Sequence, residues 1–208
     1  MPSPPVPRIR TRLAPATRQA HILDHAARLI AVEGLSALSM ERIAREAGVS
    51  KALVYNYFSN QRTLLQSLLR RDLERIQAEQ MRAATSARTF PELVRKTTHV
   101  ALVEVERRGA FLRRLLDEPS LINAVETVRT HEHAGNARYL SKRIAREFDI
   151  SLAEALRLTE IGLGLTIAAG DYLQKSGAPL CEIEDLTVAM IIGAVKSGAA
   201  QARRKRRP

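Results

Sequence analysis

An all-helical protein is predicted by this sequence, on three observations. Apolar residues recur three and four positions apart over most of the chain, the spacing of one helix face. No segment alternates apolar and polar residues as a half-buried strand would. Glycine and proline are sparse, ten and nine in 208 residues, and five of the prolines fall in the first sixteen positions.

Those sixteen residues also carry Arg8, Arg10 and Arg12, and so many prolines predict a flexible basic arm rather than a helix. Thr17 is the expected cap of the first helix, with Ile22, Ala26, Leu29 and Ile30 inward and Gly34 as its stop. Ser39 caps a short second helix with Ile43, Ala44 and Ala47 on its inner side, and Gly48 supplies the left-handed turn that ends it. Ser50 caps a third helix and Asn60 a fourth, whose inner side carries Leu64, Leu65, Leu68, Leu69, Leu73 and Ile76. The polar stretch "MRAATSART" is expected to separate two halves.

Beyond it, Thr89 and Glu92 have capping-box spacing and open a helix expected to run to Gly109, followed by a short helix, "AFLRRLL". Residues 120–148 are expected to be helical, broken or bent near Gly135. Ser151 and Glu154 repeat the capping box before a helix stopped by Gly177 and Pro179. The last helix begins among Glu182, Glu184 and Asp185 and ends in arginines, an order that suits the helix dipole. About nine helices result. They divide into an arm (1–16), a three-helix domain (17–63), a larger helical domain (64–202) and a basic tail (203–208).

The net charge of +11 is concentrated at the ends. Residues 1–62 carry nine basic and four acidic side chains, residues 63–202 are near neutrality, and "RRKRRP" supplies five more positive charges. A polyanion partner is expected for the N-terminal part and a different task for the rest. The longest apolar run, "VAMIIGAV", is too short to span a bilayer, and no apolar segment follows the N-terminal arginines as in a secretory signal. Cys181 is the only cysteine, which excludes an intramolecular disulfide and a multi-thiolate metal site. A cytoplasmic protein without cofactor or metal is expected.

The function-bearing pattern is helix, glycine turn, short helix: Ser39 to Ala47, Gly48-Val49, then Ser50 to Tyr57. This is helix-turn-helix spacing. Ala44 allows close approach of the two helices and Val49 fills the gap between them. The third helix would enter a DNA major groove, where carboxylates are repelled by phosphate, and no Asp or Glu occurs from Ala47 to Arg62. "YNYF" holds three of the eight aromatic residues of the chain. Phe58, with Val54, is expected inward, and Tyr55 and Tyr57 are expected to pack along the domain with their hydroxyls toward DNA.

These residues, "ILDHAARLIAVEGLSALSMERIAREAGVSKALVYNYFSNQRTLL", closely resemble the DNA-binding domain of the TetR (tetracycline-repressor-like) family of transcriptional regulators, over about a quarter of the chain. The resemblance implies a homodimeric repressor that binds a palindromic double-stranded DNA operator and is released by a small effector held in a variable C-terminal domain. By position it places Ser39, Ser50, Lys51, Tyr55 and Tyr57 among DNA-contacting residues, with Ala52, Leu53 and Asn56 on the recognition face. Two places depart from the family pattern. Gln61 stands where a lysine is frequent, with Arg62 beside it as a substitute phosphate contact, and Glu41 stands where a basic residue is common.

The last two helices, "IGLGLTIAAGDYL" and "LTVAMIIGAVKSGAA", are apolar on most faces and rich in small residues. Gly162, Ala169, Ala189, Gly193 and Ala194 are therefore expected in a four-helix dimer interface. For the effector, Arg113 and Tyr139 are favoured as polar anchors over His99, Glu106 and Asp171, and aliphatic predominance favours an apolar ligand. An enzyme has little support. "GLGLTIA" lacks the third glycine and preceding strand of a dinucleotide fingerprint, and His131 and His133 would point to different helix faces. The remaining rival is a nonspecific nucleic-acid-binding or architectural protein that uses both basic ends as clamps.

Overall fold

The structure, a computed structural model, describes residues 14–116, 118 and 121–206. It does not describe the side chains of residues 110, 112–114, 116, 122–134, 205 and 206. The expected arm with Arg8, Arg10 and Arg12 and the end of the basic tail thus lie outside the described residues. The elements in order are α1 (Pro15–Glu33), a 3-10 turn (Leu35–Ala37), α2 (Met40–Glu46), α3 (Lys51–Tyr57) and α4 (Gln61–Ser86). Four long helices follow: α5 (Phe90–Leu116), α6 (Ile122–Phe148), α7 (Leu152–Ser176) and α8 (Leu180–Arg206). No strand occurs among the described residues. The chain forms two compact units that divide after Leu68.

The first unit follows its local signals closely. α1 starts at Pro15, two residues before the predicted cap. Proline is well suited to the first helical position, because its missing N–H would have no intrahelical acceptor there. Gly34, at φ +88°, stops the helix and donates its N–H to Ile30. Ser39 and Ser50 each accept a hydrogen bond at 3.2 Å, from the N–H groups of Arg42 and Leu53, and so cap α2 and α3. Such a cap contributes about 1 kcal/mol. Between these helices Gly48 adopts φ +63°, a conformation that costs glycine little. Ile22, Ile30, Ile43, Val54 and Leu64 are fully buried in this unit.

In the second unit, three expected interruptions are absent. Met81–Ser86 is the last turn of α4 rather than a linker, α5 passes straight through Gly109, and α6 passes through Gly135. At Gly109 a built Cβ would lie 1.7 Å from Gln174 Nε2, so the missing side chain leaves space for the end of that side chain from α7. Merging the two segments of α5 leaves eight α-helices among the described residues. Ser151 and Glu154 form a complete capping box at the start of α7. The core between α5, α6, α7 and α8 includes Phe90, Ile144, Ala155, Ile191 and Val195. Phe90 meets Phe148 edge-to-face at 5.0 Å between ring centroids. α4 and α5 are also tied by ion pairs, Arg108 to Asp72 at 2.9 Å and Arg75 to Glu104. Burial pushes the Asp72 carboxyl above its ordinary range, against the opposing pull of Arg108.

Candidate nucleic-acid interface

Backbone and side chain together set the angle of α3 on α2. Val49 donates its N–H to Ala44 O at 2.9 Å, closing the turn, and Ala44 is buried where the helices approach. The free carbonyl of Ala47, at the end of α2, lies 3.0 Å from His21 Nε2 of α1. Burial, followed by nearby Arg28 and His21, lowers the pKa of the adjacent His25.

α3 is sharply two-sided. Val54 and Phe58 are 0% and 2% exposed, whereas Lys51, Ala52, Tyr55 and Asn56 lie on the open side. Leu53 and Tyr57 sit at its edges, half-buried. The Tyr57 ring leans on Phe58 with centroids 6.5 Å apart, so it packs partly along the domain. Ser39 and Ser50 use their oxygens as caps and keep their hydroxyl hydrogens as donors. Arg62 is exposed in the first turn of α4, next to the Asn60 cap.

One acidic side chain on this surface lies outside the acid-free run. Glu41, in the first turn of α2, forms an ion pair with Lys51 across the turn, while the Lys51 ammonium also sits 5.7 Å from the Tyr55 ring centroid. The bond from Lys51 holds the Glu41 carboxyl below its ordinary pKa, and Glu41 raises that of Lys51 in return. The acid-free run that starts at Ala47 therefore does not make an acid-free surface. Its signal in the sequence was Glu41 itself, at a place where the resemblance leads one to expect a base.

Glu41→Gln should release Lys51 and remove a carboxylate from the exposed side of α2. The expected result is tighter binding to duplexes of any sequence, with a steeper salt dependence, because the freed ammonium displaces counterions from phosphate. Fluorescence anisotropy at several salt concentrations checks this. Unchanged affinity and slope would show that the pair does not face DNA.

In the second unit, two adjoining recesses, both partly open to solvent, share Thr97, Leu140, Leu163 and Thr166 as walls. Tyr139 lines one of them, and the Arg113 side chain lies outside the described residues. His99 is engaged elsewhere, with Nδ1 2.7 Å from the largely buried Glu184 carboxylate. Glu106 borders a separate, open recess, and Asp171 is exposed.

The small residues of α7 and α8 split between two roles. Gly162 is buried, with a built Cβ 3.5 Å from Ile191 of the same chain, and Ala169 packs against the Leu102–Leu173–Ile183 cluster. Both make packing contacts within the chain. Ala189 and Gly193 are exposed and Ala194 is half-buried. They share the open side of α8 with Leu186 and Met190, 59% and 49% exposed, while Ile161, Ile167 and Tyr172 are exposed on α7. These large side chains were missed because composition drew attention to the small ones.

A glycine turn joining two capped helices, the second apolar inside and polar outside, is a helix-turn-helix, the reading element of DNA-binding regulators. Residues 22–68 match the sequence model "Bacterial regulatory proteins, tetR family". Over 82 residues the chain is 37% identical to the HTH-type transcriptional regulator BetI of Rhizobium meliloti (strain 1021). That match covers 39% of this chain and 40% of the relative, so it spans well under half the relative's length.

Solved structures share the fold. A TetR-like transcriptional regulator from Rhodococcus sp. RHA1 is similar with a TM-score of 0.63 at 19% identity, covering 86% of this chain and 96% of that one. The fatty acid degradation regulator FadR from Bacillus halodurans gives 0.65 at 15% identity, covering 87% and 96%. No helix among the described residues is long and apolar enough to cross a membrane.

Proposed function

We propose that this chain is a ligand-responsive transcriptional repressor that acts in the cytoplasm as a homodimer on a palindromic operator. Residues 17–63 read DNA, and residues 64–202 bind the effector and the second subunit. The observation that carries the proposal is the exposed row Lys51, Ala52, Tyr55 and Asn56 over the buried Val54 and Phe58. Exposed amide and phenol groups on a rigidly seated helix suit base edges and phosphates. The apolar recesses of the second unit support an effector, and the exposed apolar side of α7 and α8 supports dimerisation. An effector that binds the DNA-incompetent conformation better would lower operator affinity by about 5- to 150-fold.

Substitutions on α3 separate this reading from nonspecific clamping by basic ends. Lys51→Ala should weaken binding to all duplexes by a similar factor, since phosphate contacts carry no sequence information. Asn56→Ala should instead change the ranking among duplexes, by about 1–3 kcal/mol at the base it reads. Competition binding with a panel of single-site duplex variants measures both. If Asn56→Ala leaves the ranking intact, α3 does not read bases through this side chain.

A further inference from the structure

We propose that the cavity of the second unit takes an uncharged single-chain amphiphile, with its polar head against Asn136 and Tyr139 and its aliphatic tail between α5, α7 and α8. This inference rests on the ligand-responsive reading above and names the class of ligand. It starts from charge: none of the described residues lining the two recesses carries one. Among these described residues an ionised carboxylate would lose its hydration and meet no lining cation in return.

The polar groups are unevenly distributed. Toward Phe90 and Val195 the wall is aliphatic and aromatic, broken by threonines. Thr97, Thr159 and Thr166 donate their hydroxyl hydrogens to the helix carbonyls of Leu93, Ala155 and Gly162, at 2.9, 2.8 and 3.2 Å. Those three hydroxyls therefore offer a ligand no free donor.

The other recess ends in Gln80, Asn136 and Tyr139. Asn136 Nδ2 donates to Gln80 Oε1 at 3.1 Å, which sets the orientation of the amide. Its Oδ1 is then a buried acceptor with no hydrogen-bond partner, the kind of group a ligand donor satisfies. The Tyr139 oxygen is 3.4 Å from Arg143 Nη1, which donates to it, so the phenolic hydrogen remains to be donated. Arg143 itself is held against Ala87 O. The head group must thus donate to Asn136 and accept from Tyr139. A primary amide or a hydroxyl does both; a carboxylate does not donate, and it would set negative charge beside Asn136 Oδ1.

Isothermal titration of the full chain without DNA, at neutral pH, with decanamide, decanol and decanoate tests the assignment. Decanamide and decanol should bind, with decanoate weaker by about tenfold or more. Asn136→Leu should abolish the preference for amide over carboxylate, and Tyr139→Phe should weaken amide binding by about fivefold. If Asn136→Leu does not fold, Tyr139→Phe carries the comparison. Decanoate binding as tightly as decanamide, or failure of all three to bind, would overturn the proposal. Operator affinity measured in parallel keeps the two readings distinct. Amide binding that leaves operator affinity unchanged would sustain the ligand class and remove the responsive regulator.

Discussion

Phe58→Ala should unfold the DNA-reading unit. Phe58 is 2% exposed at the end of α3, where it fixes that helix against the interior of the first unit. Truncating a buried phenylalanine costs about 3–5 kcal/mol. Small domains lie near the lower end of the roughly 5–15 kcal/mol of native stability, so most of the margin is lost. The predicted signature is an early unfolding transition in urea and loss of operator binding at 37 °C (about body temperature). Tyr55→Ala provides the contrast. Its ring is 41% exposed, so stability should change by no more than about 0.5 kcal/mol while DNA affinity falls. Equal destabilisation by the two variants would contradict the two-sided account of α3.

Replacing Leu186 and Met190 together by glutamate should separate the proposed homodimer. In an isolated chain both side chains face solvent, at 59% and 49% exposure, and the change would be nearly neutral. In a two-fold interface the same patch meets its own copy, so four carboxylates enter one apolar contact. The dissociation constant should rise by at least about 100-fold, or roughly 3 kcal/mol. Sedimentation velocity at micromolar concentration reads this directly, and helical content by circular dichroism should stay unchanged. A double variant that sediments as the wild type would place the dimer contact elsewhere.

The sequence carried what is local and lost what depends on distant partners. Ser39, Ser50 and Ser151 cap helices where their spacing indicates, because a cap needs only the next turn. Gly34 and Gly48 adopt positive φ, as a stop and a turn require. Gly109 was misleading because glycine serves equally as a stop or as space for a neighbour, and its neighbour, Gln174, lies on another helix. Gly162 is a similar case: its small size fits a helix contact, but nothing nearby shows whether that contact is with α8 of its own chain or of a second copy. The Glu41–Lys51 pair spans a turn and becomes visible only when both helices are in place. At the candidate site, the two-sidedness of α3 was legible from Val54 and Phe58, since helical spacing alone puts them on one side. The head-group chemistry of the cavity was not, because Gln80, Asn136 and Tyr139 come from two separate helices.

The central claim is that α3 reads a defined DNA sequence. Selection of bound duplexes from a random library by the full chain, followed by sequencing, tests it most directly. Recovery of one shared site, with two inverted half-sites about one helical turn apart, is the predicted result. Retained duplexes with no sequence in common, bound with similar affinity and a steep salt dependence, would contradict it.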